Sequence, residues 1–175
     1  RAGELAIRLQ GGHHLTDLRK PAPTFEYAKP AIWSDATFGV EREARAAIAQ
    51  ANLGAGDTID FAIRGHGPFT ITLTASLPNI TSSMTIAGPV AAASAVTING
   101  NGAVQVLVVN SGATLNLSNL TIENGGAGPI NDGGAIRNYG TLTVSNVTFD
   151  YNYAGSGGGA ISNENSGAVT VNNGT

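Results

Sequence analysis

Leu115-Asn116-Leu117-Ser118-Asn119-Leu120-Thr121-Ile122 returns as Leu142-Thr143-Val144-Ser145-Asn146-Val147-Thr148-Phe149, and a third time, shortened, as Val169-Thr170-Val171-Asn172-Asn173-Gly174-Thr175. The leading residues Leu115, Leu142 and Val169 are separated by 27 positions both times. A fixed period of roughly 20 to 50 residues marks a chain that stacks one supersecondary unit on itself, and it outranks local propensity as a guide to fold. The spacing predicts a solenoid.

Within each unit the apolar residues alternate: Leu115, Leu117, Leu120 and Ile122 in one copy, Leu142, Val144, Val147 and Phe149 in the next. Alternation of period two describes a strand with one buried face, and its change of phase at the Ser-Asn pair marks a corner. Two short strands joined by a corner, then a glycine-rich excursion and a return, describe a coil of a parallel β-helix better than a hairpin meander. Stacked coils place equivalent residues about 4.7–4.9 Å apart, so side chains form ladders along the solenoid. Asn119, Asn146 and Asn173 are expected to form one such ladder, and Asn110, Asn138 and Asn163 a second. Asparagine tolerates the left-handed backbone of a sharp corner, and its amide can bond its neighbours above and below. These asparagines read as structural.

Gly133-Gly134-Ala135-Ile136-Arg137-Asn138 repeats as Gly158-Gly159-Ala160-Ile161-Ser162-Asn163 at an offset of 25, so the turns vary in length while the strands hold register. Gly125-Gly126-Ala127-Gly128 lacks the lysine and following helix of a phosphate-binding loop. Glycine here serves close backbone approach and turns.

These motifs carry a resemblance. Gly133-Gly134-Ala135-Ile136, Phe149-Asp150-Tyr151-Asn152 and Gly158-Gly159-Ala160-Ile161 resemble the GGA(I/L/V) and FxxN repeats of polymorphic outer membrane proteins and related bacterial surface β-helix proteins, with Ile122-Glu123-Asn124 a degenerate copy of the second motif. Upstream, Arg42-Glu43-Ala44 through Asn52, then Gly56-Asp57-Thr58-Ile59-Asp60-Phe61, is similar to the CSLREA-type segment that opens many secreted bacterial β-helices. The Cys-Ser-Leu is missing, and Arg45 stands as an apparent insertion. The resemblance covers about residues 41 to 175. It implies a right-handed parallel β-helix, secreted or at the cell surface, often in adhesins, with no shared catalytic residue to carry over.

Charge is segregated. Of 21 charged residues, 16 lie in the first 64 positions, leaving Glu123, Asp132, Arg137, Asp150 and Glu164 for the repeats. A net charge of −3 lacks the basic face of a nucleic-acid binder. No apolar run is long enough to span a membrane as a helix. Without cysteine there is neither a disulfide framework nor a thiolate metal site. The chain opens at Arg1 without a secretory leader pattern, so the expectation is a processed chain or a piece of a longer one.

Residues 1–40 are expected to form an irregular arm, broken by Pro21, Pro23 and Pro30, with at most a short helix or strand near Glu4 to Leu9. Residues 41–64 are expected to hold a capping helix and a first strand. Ala44, Ala47, Ile48 and Ala51 fall at helical spacing, and such a helix would shield the first coil's apolar end and open edge. Residues 65–175 hold the repeats. The sequence stops at Thr175 inside a repeat, which leads to the expectation that this end continues in a longer parent or stacks on another copy, with filaments if the contact is head-to-tail.

No catalytic residue, metal site or cofactor is predicted. Asp132, Arg137, Asp150 and Glu164 are the candidates within the repeats and do not share one repeat position, and an Asp132–Arg137 encounter across a turn reads as a solvated pair. His13 and His14 lack a carboxylate at ligand spacing, and His66 lies between Gly65 and Gly67 as a turn residue. Tyr151 and Tyr153 fall beyond the strand that buries Phe149, where exposed rings could stack on a sugar. They are the candidate ligand contacts. The Asn-X-Thr/Ser triplets at Asn79, Asn116, Asn119, Asn146 and Asn173 follow from ladder composition. The function expected is an extracellular or cell-surface structural or adhesive module, its partners other copies of itself or surface glycans. A polysaccharide-binding or polysaccharide-cleaving β-helix is the alternative.

Overall fold

The computed structural model describes residues 4–10, 36–64, 67–91, 95–126, 128 and 132–175. The chain begins with β1 (Glu4–Gln10) and α1 (Ala36–Ala51), followed by the coils. The first coil holds β2 (Asp57–Arg64) and β3 (Phe69–Thr72), and reaches its third side at Ile80. The second holds β4 (Met84–Ala87), β5 (Val96–Asn99) and β6 (Leu107–Val109). The third holds β7 (Thr114–Ser118), β8 (Thr121–Glu123) and β9 (Ile136–Asn138). The fourth holds β10 (Thr141–Ser145), β11 (Thr148–Asp150) and β12 (Ile161–Asn163), and β13 (Ala168–Asn172) starts a fifth.

Strands at equivalent places pair parallel, giving sheets of order β2-β4-β7-β10-β13, β3-β5-β8-β11 and β6-β9-β12. The molecule is a parallel β-helix. Register follows the sequence repeat: Leu115 pairs with Leu142 and Leu142 with Val169. The inward residues therefore stack like on like. Ile59, Ile86, Leu117, Val144 and Val171 form one ladder, and Ile71, Ile98, Ile122 and Phe149 another. A fully buried leucine or isoleucine stabilises by about 1.5–3 kcal/mol relative to exposure, so these ladders hold the narrow core together.

The corner between the first two sheets depends on asparagine. Asn119, Asn146 and Asn173 have φ of 54°, 53° and 51°, in the left-handed region that asparagine enters more readily than other non-glycine residues. The turn reverses the alternation, so Leu120 and Val147 point inward directly after it. Gly134 supplies the close approach: a Cβ there would strike the carbonyls of Tyr153 and Gly159 in the neighbouring coil.

Of the two elements expected near Glu4 to Leu9, a short helix or a short strand, the strand is found: residues 4–10 form β1, which pairs antiparallel with β2 from Glu4↔Arg64 to Gln10↔Thr58. Leu5, Ile7 and Leu9 pack on the core, and that long-range pairing makes the strand, with no local repeat to announce it. Helix α1 starts at Ala36, before residue 41, and the rest of the arm lies outside the described residues. The ladder of Asn110, Asn138 and Asn163 is also corrected. Asn138 stacks on Asn163 but pairs in register with Val109, leaving Asn110 one residue out, where its Oδ1 accepts from Asn79 Nδ2 at 3.4 Å. The variable turn shifts the register that spacing alone suggested.

Helix α1 buries Ala44, Ile48 and Ala51 over the first coil, with Ala47 partly buried beside them. A small apolar cavity of about 20 Å³ remains there, lined by residues including Ile7, Ile48, Phe61 and Leu73. Together α1 and β1 cover the β2 and β3 end of the stack. Among the described residues no helix is long and apolar enough to cross a membrane.

Candidate functional site

The outward residues of β3, β5, β8 and β11 make two rows. Thr70, Thr97, Thr121 and Thr148 form one; Thr72, Asn99, Glu123 and Asp150 form the other. Threonine suits an exposed strand position, so the first row is explained by the sheet itself. In the second row Asn99 Nδ2 donates to Glu123 Oε1 at 2.7 Å, and Asp150 lies exposed in register beside Glu123. Two carboxylates, Glu123 and Asp150, thus share one repeat position, which comparison among Asp132, Arg137, Asp150 and Glu164 alone does not reveal. Their offset of 27, the same as that of Leu115 and Leu142, was the signal available in the sequence.

The row leads into the tyrosines. Tyr151 follows Asp150 at the corner, 82% exposed, and Tyr153 is 66% exposed. Between them Asn152 turns inward: its Nδ2 donates to the Ile122 carbonyl at 2.9 Å, and its Oδ1 accepts from Gly125 N–H at 2.8 Å. The asparagine anchors the loop to the coil beneath. Tyr153 N–H donates to the Gly125 carbonyl at 2.8 Å, which fixes the second ring's backbone. Phe149, in the inward ladder, is half-buried against the core.

On the third sheet Arg137 does not meet Asp132. Its Nε lies 3.3 Å from Glu164 Oε1, and its guanidinium sits 5.1 Å from the centre of the Tyr139 ring. Ser162 Oγ adds a hydrogen bond to Glu164 at 3.0 Å. Asp132 lies against Gly157 instead, where a Cβ on the glycine would strike its carboxylate. Gly133, Gly134, Gly158 and Gly159 belong to those turns; Gly133 has φ of 70° and donates its N–H to the Gly158 carbonyl at 3.1 Å. His13, His14 and His66 lie outside the described residues. Among the described residues no group of three or more His, Asp or Glu side chains converges as a metal site.

No family model, curated protein or solved structure matches this chain.

One further polar cluster serves the cap and was not foreseen from the sequence. Glu41, 3% exposed, accepts from Thr74 N–H at 2.9 Å and from Thr74 Oγ1 at 3.0 Å. Arg45 Nη2 meets the same carboxylate at 2.8 Å, while its guanidinium also donates to the Ala75 and Ser76 carbonyls. Burial pushes the Glu41 carboxyl up, but the bonds from Arg45 and Thr74 outweigh it and hold the group below its ordinary value. Glu43, by contrast, is pushed up by burial, against Arg42 and the Ile7 backbone. The Glu41–Arg45–Thr74 cluster latches α1 to the loop after β3. Its i,i+4 spacing on a helix was visible, but its partner lies 33 residues away.

Proposed function

We propose that this chain is an extracellular or cell-surface scaffold module with a structural or adhesive role and no catalytic one. The observation that carries the proposal is where its polar side chains are used. Asn138 bonds Asn163, Asn146 bonds Asn119, Asn99 bonds Glu123 and Asn152 bonds the coil beneath it, all between adjacent coils. Such bonds rigidify a stack. The resemblance of the GGA(I) and FxxN motifs to polymorphic outer membrane proteins, and of residues 41–61 to the CSLREA-type region, supports placement outside the cell.

The coil ends differ. One is covered by α1 and β1, and at the other β13 presents a strand edge that can take a further strand, from a following coil or from a second copy. Pairing of two such edges closes a dimer, and a filament additionally needs the α1 end to open. Light scattering and negative-stain electron microscopy of the natively produced chain test the assembly. Protease shaving of intact producing cells tests the location. Loss of the chain from shaved cells supports the proposal; complete protection inside them overturns it.

A further inference from the structure

We infer that Tyr151 and Tyr153, with Asp150 and Glu123 beside them, form a carbohydrate-binding platform for a flat β-linked polysaccharide. The inference rests on the adhesive reading above and names its ligand class and its residues.

Three observations converge. First, both rings are exposed while the residue between them is held inward by two hydrogen bonds, so the short loop that carries the rings is anchored. Their Cα atoms are at most about 7 Å apart, close enough for neighbouring sugar units to lie on them. A ring held out by an ordered backbone binds with little loss of freedom, because two torsions place it.

Second, Tyr151 has φ of 49°. The same corner one coil earlier is occupied by Asn124 at φ of 50°. Asparagine eases the left-handed backbone by hydrogen bonding locally with its short side chain, and tyrosine cannot. A bulky residue at such a corner points to a role other than stability.

Third, the flanking groups suit a sugar. An aromatic face packs against the apolar C–H face of a pyranose, while carboxylates accept from equatorial hydroxyls. Glu123 and Asp150 stand in register, Asp150 directly precedes Tyr151, and Glu123 is oriented by Asn99. Gly126 lies in bridge register with Tyr153, so no side chain of that residue competes for the ring.

The test is retention of the whole chain on insoluble cellulose and chitin and in affinity electrophoresis with soluble xylan, comparing the parent with Tyr151→Asn, Tyr151→Phe and Tyr153→Ser. The parent is expected to bind at least one of the three. Tyr151→Phe should keep that binding, and Tyr151→Asn and Tyr153→Ser should each weaken it by about tenfold. Tyr151→Asn should melt no lower than the parent, which separates lost contact from lost fold. A parent that binds none of the three, or a Tyr151→Asn/Tyr153→Ser double variant that binds as the parent does, overturns the platform. Either result leaves the scaffold reading standing, since that reading fails on cell-surface location alone.

Discussion

Asn138 Nδ2 donates to Asn163 Oδ1 at 2.7 Å, joining the third coil to the fourth from a position where the second coil carries Val109. The same amide reaches the Gly140 and Ala168 carbonyls, each at 3.1 Å, and its oxygen accepts from Gly140 N–H at 3.3 Å. Asn138 is fully buried. An inward asparagine in an apolar ladder is tolerated because its amide is hydrogen-bonded through both nitrogen and oxygen, and its removal takes the side-chain acceptor from the buried Gly140 N–H, while the Gly140 carbonyl keeps the Ala168 N–H at 2.8 Å.

Asn138→Val should therefore destabilise the chain by about 2–3 kcal/mol, although valine fits the ladder in shape and stands at the same register position one coil earlier. Urea unfolding followed by circular dichroism measures it. A midpoint equal to the parent's would show that burial of the amide contributes nothing.

Glu41 should make stability depend on pH. Its carboxyl is held below the ordinary value of 4.5, so the folded state binds its proton less readily than the unfolded chain. The contribution is fully present above that ordinary value and is lost as pH falls through the lower folded one. Glu41→Gln should cost about 2 kcal/mol at pH 7 and much less at pH 3. The urea midpoint of parent and variant, taken at both pH values, checks the sign. An equal gap at the two would contradict the latch.

The corner ladder separates backbone strain from side-chain chemistry. Asn146→Ala places a residue without a local hydrogen bond at φ of 53° and should cost about 1 kcal/mol. Asn146→Gly should be close to neutral, because glycine adopts that conformation freely. Thermal melting of the two variants should order them alanine below glycine, and the reverse order would remove the conformational account of the corner.

The cap should be the most sensitive single apolar site at its end. Ile48 is 3% exposed and borders the cavity under α1, so Ile48→Ala enlarges an existing void and should cost about 2–4 kcal/mol. A hydrophobic dye should then bind the native state, as the first coil loses its cover. A change below about 1 kcal/mol would mean that the helix contributes little to closing the stack.

The sequence alone determined the stacking. A repeat of 27 residues with inward Leu, Val and Ile leaves few ways to bury its apolar face, and parallel coils bury it by setting each residue on its own counterpart. The phase change at Ser118-Asn119 was legible for the same reason, since alternation and corner are both local. Tertiary structure decided the rest. Strand β1 exists only because β2 offers it an edge, Glu41 finds Thr74 only when the helix docks, and Asn138 stands over Val109 only after a turn of variable length has closed. The alignment of Glu123 with Asp150, by contrast, follows the same 27-residue repeat and was legible with it. Local pattern specifies which face a residue turns inward, whereas the partners across coils depend on loop closures whose lengths the pattern does not constrain.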